Sequence, residues 1–142
     1  MRLSAKILKN VNNVNSWTYT NQSFMSEGQA NTLYLQLVDL DMSTSVDSEK
    51  LVAFPQYPIR YISQATTLTT SVTFQSLDDS LEFSISGTQP YAQDRSIWKF
   101  DLSASQIPSG GYIKVNIAED SVVKSFLVKN AIEVDFLDIG GC

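Results

Sequence analysis

From Phe24 onward, apolar residues recur at every second position in short runs, and no segment holds helical spacing for long. A period of two sends alternate side chains to opposite faces of an extended strand. Each apolar face then needs a second layer to cover it, which restricts the chain to paired sheets or a closed barrel. In "NTLYLQLVDL", Leu33, Leu35 and Leu37 alternate with Tyr34, Gln36 and Val38. "TLTTSVTF" puts Leu68, Thr70, Val72 and Phe74 on one face, and its Thr and Val content favours strand. "LEFSIS" does the same with Leu81, Phe83 and Ile85. "SIWKFDLS" sets Trp98, Phe100 and Leu102 against Ile97, Lys99 and Asp101. "YIKVNIA" turns Ile113, Val115 and Ile117 inward, and "VVKSFLV" and "AIEVDFL" read as two closing strands, the latter with Ile132, Val134 and Phe136 aligned.

Turn signals separate these runs. Residues 41–50 are polar, Leu77–Ser80 and Glu119–Ser121 are short acidic turns, and "IPSGGY" is a Pro/Gly turn. Pro55 and Pro58 confine "FPQYPIRYI" to an edge or a connection. The whole predicts an all-β fold: an immunoglobulin-like antiparallel β-sandwich of seven to eight strands over residues 23–142, with Trp98 in the core. The antibody-type Cys…Trp…Cys pattern is absent. At 142 residues the chain suits one domain with a core that needs no disulfide or metal.

Residues 1–22 break the pattern. Leu3, Ile7 and Leu8 fit a short strand or one turn of helix equally, and the Asn-rich "NVNNVNSW" favours turns. This segment is predicted to be an extended N-terminal arm, either solvated or docked on a neighbouring subunit by strand addition. Leu3, Ile7, Leu8, Trp17 and Tyr19 are the candidate subunit-interface residues.

The chain has no histidine, which removes the commonest general base and metal ligand near neutral pH. Its one cysteine, Cys142, allows neither an internal disulfide nor a Cys/His zinc site, and is read as a spectator thiol or an intermolecular bridge. Phosphate-cradling and nucleophile-elbow motifs are missing. Carboxylates remain: Asp39 with Asp41, Asp47 with Glu49, and Asp78 with Asp79. None has the graded spacing of a calcium loop, so they read as solvated loop residues. No catalytic, cofactor or metal role is expected. A formal net charge of −5 disfavours nucleic acid and anionic membrane as partners, since both require clustered Lys/Arg. No apolar run approaches the roughly 18 residues of a membrane span, and no apolar signal-peptide core follows the first basic residues, so secretion is not expected. Charged residues are only 18% of the chain, with Ser, Thr, Asn and Gln in their place. That suits surfaces that pack on other proteins, because interface cores are depleted in charge. Trp17, Tyr19, Tyr57, Tyr61 and Tyr91 fall in the arm or loops, where aromatics serve a protein interface or a sugar-binding surface.

Three stretches carry a family likeness: "SFMSEGQANTLYLQLVD" (23–39), "RYISQATTLTTSVTF" (60–74) and residues 89–134, where "DRSIW", "SGG" and "NAIEV" follow in order. Together they resemble the immunoglobulin-like domains of bacteriophage tails, baseplates, necks and capsid decorations, including the N-terminal domains of baseplate upper proteins. The resemblance implies a non-enzymatic, multicopy structural protein of the virion, assembled in the host cytoplasm. Its implied partners are other virion proteins and copies of itself. It carries over no binding residues, because its motifs are strand-and-turn patterns. A carbohydrate-binding or host-adhesion module is the alternative expectation.

Overall fold

The computed structural model describes residues 3–44, 57–63, 65–75, 81–106, 108 and 111–135. Among them there is no helix. The strands, in chain order, are β1 (Leu3–Asn13), β2 (Ser16–Thr20), β3 (Ser23–Ser26), β4 (Asn31–Thr44) and β5 (Tyr57–Arg60). They continue with β6 (Leu68–Gln75), β7 (Leu81–Ser86), β8 (Ile97–Leu102), β9 (Gly111–Glu119) and β10 (Val122–Asp135).

Two five-stranded sheets face each other. The first runs β2-β1-β4, and the far edge of β4 is shared: β8 pairs along Asn31–Gln36 and β5 from Val38 to Thr44. The second runs β3-β10-β9-β6-β7. Strands β4 and β8 thus lie in one sheet while β6, β9 and β10 lie in the other, with β7 added at the edge of β6. In this Greek-key arrangement consecutive strands cross between sheets, so the fold is an immunoglobulin-like β-sandwich. One pairing is parallel, that of β3 with β10.

The alternating positions of the sequence fill the space between the sheets. Leu33, Leu35 and Leu37 of β4 meet Val72 and Phe74 of β6, Trp98, Phe100 and Leu102 of β8, and Ile113, Val115 and Ile117 of β9, all buried in one cluster. Phe83 packs against Phe74 with ring centroids 4.9 Å apart. Pro58 lies in β5, bound to β4 at the margin of the first sheet, as its missing N–H requires.

The structure departs from the sequence expectation in three places. Residues 3–20 are not an arm. They form the β1–β2 hairpin, with β1 paired to β4 from Leu3↔Asp39 to Leu8↔Tyr34. Ala5 and Ile7 point into the core at alternating positions, and covering the open edge of β4 outweighs the poor strand propensity of the Asn-rich stretch. Those asparagines sit at the irregularities: Asn10 takes φ 55°, in a register shift between Lys9 and Asn13, and Asn13 Oδ1 accepts the Asn15 N–H at 2.8 Å in the turn. Second, the strands among the described residues number ten, because the predicted arm supplies two and β3 is separate from β4. Third, "VVKSFLV" and "AIEVDFL" are one strand. A register shift between Val128 and Ile132 re-aims β10, whose first part pairs β9 while its end pairs β3. Phe136 and Cys142 lie outside the described residues.

Two backbone features yield predictions. The β9–β10 turn has positive φ at both Asp120 (46°) and Ser121 (75°), as a two-residue type I′ hairpin turn requires. Serine is strained there, so Ser121→Gly is expected to raise the unfolding free energy by about 0.5–1 kcal/mol in urea titration. Gly87 donates its N–H to Thr70 O at 2.8 Å, and a Cβ there would stand 2.5 Å from Cε1 of the buried Phe100 ring. Gly87→Ala is expected to cost about 1–3 kcal/mol by the same measurement.

Candidate functional site

The outer face of the second sheet is built from the residues that alternate with its core positions. Across β7, β6, β9 and β10 these are chiefly Ser84 and Ser86, Thr69, Ser71 and Thr73, Asn116 and Ala118, and Val123, Ser125 and Leu127. A chain of side-chain hydrogen bonds crosses all four strands. Thr73 Oγ1 and Ser84 Oγ are hydrogen-bonded at 2.8 Å, either hydroxyl being able to donate, Asn116 Nδ2 donates to Thr73 Oγ1 at 3.5 Å, and Ser125 Oγ donates to Asn116 Oδ1 at 2.7 Å. Short residues hydrogen-bonded to one another leave this face nearly free of charge, with Lys114 the exception among the central positions. Val123 (65% exposed) and Leu127 (50% exposed) stand out of it on β10.

At one margin of this face, β7 ends at Ser86, opposite Ser71, so Leu68–Thr70 of β6 has no β7 partner. A cleft of about 450 Å³ opens there. It reaches from Asn116 and Val123 on the outer face to Thr70 and Trp98, whose side chains belong to the interior.

Two polar clusters pin the crossovers. Glu119, at the end of β9, accepts hydrogen bonds from Tyr61 OH (2.7 Å) and Ser63 Oγ (2.8 Å), and Lys124 Nζ approaches it to 3.6 Å. Burial alone would push the Glu119 carboxyl up. The two hydrogen bonds and the Lys124 charge outweigh it and hold the carboxyl below its ordinary range. For Tyr61, burial together with the hydrogen bond to Glu119 and its charge raises the phenol to about 12. Asp120 accepts the Thr66 and Thr67 N–H groups alongside. On the outer face of the first sheet, Asp94 is buried, ion-paired to Arg60 at 2.8 Å and bonded by the Ser96 N–H and hydroxyl. Nearby, Tyr19 OH donates to Gln36 Oε1 at 2.7 Å, and burial is the main cause of its raised pKa. Each carboxylate is committed to fixing a loop, which is a structural arrangement.

The candidate interface residues are scattered by the fold. Ile7 (2% exposed) lies between the sheets and Leu8 (4% exposed) is buried on the other side of β1. Leu3 packs against the core. Trp17 is half-buried, donates from Nε1 to Val14 O at 3.0 Å, and meets Tyr19 edge-on at 5.0 Å. Tyr19 alone of the five is substantially exposed. Of the carboxylate pairs, Asp39 is buried, while Asp47, Glu49, Asp78 and Asp79 lie outside the described residues, as does the Asp41 side chain. The described residues contain no cluster of three or more metal-ligating side chains. Sequence reading missed the outer face of the second sheet, although its signal was present: Thr69, Ser71 and Thr73 of β6, Ser84 and Ser86 of β7 and Asn116 of β9 hold outward positions.

No family model matches the chain, and no curated protein matches it. Among solved structures it is similar to the twitchin kinase region from C. elegans, at 13% identity and a TM-score of 0.35. That similarity covers 80% of this chain and 15% of the twitchin chain, so the sequence spans about 15% of its length. At that score the likeness carries no argument.

The Glu119 cluster sets a pH dependence. Its folded pKa is below the unfolded value, so its contribution is present above about pH 4.5 and is lost as pH falls through the folded pKa. Tyr61, raised when folded, contributes below about pH 10 and loses that contribution as pH rises toward 12. Glu119→Gln is expected to cost about 1–3 kcal/mol at pH 7 and to flatten the acid limb of a stability–pH curve measured by urea unfolding.

Proposed function

We propose that this chain is a non-enzymatic structural component of a bacteriophage particle, present in many copies. It docks onto other virion proteins, or onto copies of itself, through the outer face of its second sheet. The observation that carries docking is that face: hydrogen-bonded into a ladder across four strands, poor in charge, and bearing the exposed Val123 and Leu127. Interface centres are depleted in charge, and locked side chains lose little entropy on association. The phage assignment itself rests on the resemblance of residues 23–39, 60–74 and 89–134 to small virion domains. A neck, tail or baseplate position requires a closed ring of copies, and a capsid decoration requires capsid symmetry sites.

The double variant Val123→Lys, Leu127→Lys tests the docking face. In particles lacking the wild-type chain, it is expected to be incorporated at least about tenfold less, corresponding to roughly 1.4 kcal/mol of lost affinity. Its thermal unfolding should remain that of the wild type, since both side chains face solvent. Quantitative mass spectrometry of purified particles gives incorporation and copy number together. Incorporation equal to wild type would count against this face, and absence of the wild-type protein from purified particles would count against the virion assignment.

A further inference from the structure

Of the buried polar side chains in the sandwich, Gln36, Ser63, Asp94 and Ser96 each have a hydrogen-bond partner within the chain. Thr70 Oγ1 and Trp98 Nε1 have none. Their residues are 4% and 3% exposed, and both line the cleft at the uncovered edge of β6. Native structures rarely leave such atoms unpaired, because a buried polar group without a partner loses its hydration with nothing in return. Both orphans belong to residues that line one cleft and lie just behind its wall, where a ligand seated in the cleft would complete them.

The lining defines its chemistry. The indole N–H only donates, so the ligand must offer an acceptor; the threonine hydroxyl takes either role. Ser71, Ser86 and Asn116 add neutral polar groups, Leu68 and Val123 add apolar surface, and no lining residue is charged. A hydroxyl group both donates and accepts, and a sugar ring presents several hydroxyls around an apolar C–H face. At about 450 Å³ the cleft falls within the range of small-molecule sites. We propose that the cleft at the edge of β6 binds a neutral sugar ring, either free or as the terminal residue of a glycan. Thr70 and Trp98 are its central hydrogen-bonding residues. Both polar atoms sit behind the cleft wall. Rotation about χ1 of Thr70 exchanges its methyl for its hydroxyl, and Val123 stands exposed at the rim with little packing to hold it. This site is independent of the virion assignment.

The two indole N–H resonances of the full chain read the test directly by NMR. Trp17, already bonded to Val14 O, is the internal control. Glucose, galactose and N-acetylglucosamine are titrated free, and again as terminal residues of trisaccharides. The expected result is a saturable shift of the Trp98 indole with at least one sugar while Trp17 stays still. Binding of the monosaccharide identifies a free-sugar site, and binding of the trisaccharide alone identifies a glycan site. Thr70→Val removes the hydroxyl without changing shape. It should unfold at or above the wild-type temperature and bind at least about tenfold more weakly. Three results would overturn the proposal: no saturable Trp98 shift with any sugar, an affinity unchanged by Thr70→Val, or a Trp98 indole that exchanges with bound water and ignores every sugar.

Discussion

Everything in this molecule depends on filling the gap between two sheets with side chains that come from every second residue. Leu33, Leu35 and Leu37 from one sheet, and Val72, Phe74, Ile113, Val115 and Ile117 from the other, are almost wholly withdrawn from water. Burial at that level contributes roughly 1.5–3 kcal/mol per large side chain before entropy is counted. It also fixes register. A slip of one residue on any of these strands would turn its apolar set to solvent, so strand pairing and core packing specify each other. The ring of Phe100 and the bare backbone of Gly87 show how little slack remains.

Hydrophobic burial does not say how the chain passes between sheets. That is settled by polar groups with defined partners. Tyr61 and Ser63 close on Glu119, the Thr66 and Thr67 amides close on Asp120, and Arg60 closes on buried Asp94. The first two groups hold the segment between β5 and β6 against the β9–β10 turn. The third holds β5 to the loop before β8. In a chain without histidine, the carboxylates that fasten the fold are Glu119, Asp120 and Asp94, none of them among the pairs that sequence spacing singled out. The lowered pKa of Glu119 follows from that role.

Once the core is closed, the outward positions carry what is left for function. The hydrogen-bonded ladder of Ser84, Thr73, Asn116 and Ser125 lies in the plane of the second sheet's outer face, which is nearly free of charge. The cleft at its margin exists because β7 stops before β6 does. Two unsatisfied polar groups of the interior, on Thr70 and Trp98, lie behind the wall of that cleft. Plane and cleft meet at Asn116 and Val123, so occupancy of one bears on access to the other.

The sequence by itself determined the layer architecture. Period-two alternation at Leu33–Leu37, Val72–Phe74, Trp98–Leu102 and Ile113–Ile117 requires a second layer of strands over each apolar face, and these inward residues could be named without coordinates. It also excluded whole classes of chemistry, through its lack of histidine. What it could not decide was any feature that depends on a distant partner. Leu3, Ile7 and Leu8 suit a helix turn or a strand equally, and only the open edge of β4 makes them a strand. Lys129 and Asn130 read as a boundary between two strands, whereas pairing to β9 on one side and β3 on the other makes them a bend within one. The candidate site lies still further from local pattern. The ladder joins residues from four strands, and the orphaned Thr70 and Trp98 are defined by partners that three-dimensional packing withholds. Alternation is a local property of the backbone and can be read from neighbours in sequence; hydrogen-bond satisfaction is a property of the packed interior and cannot.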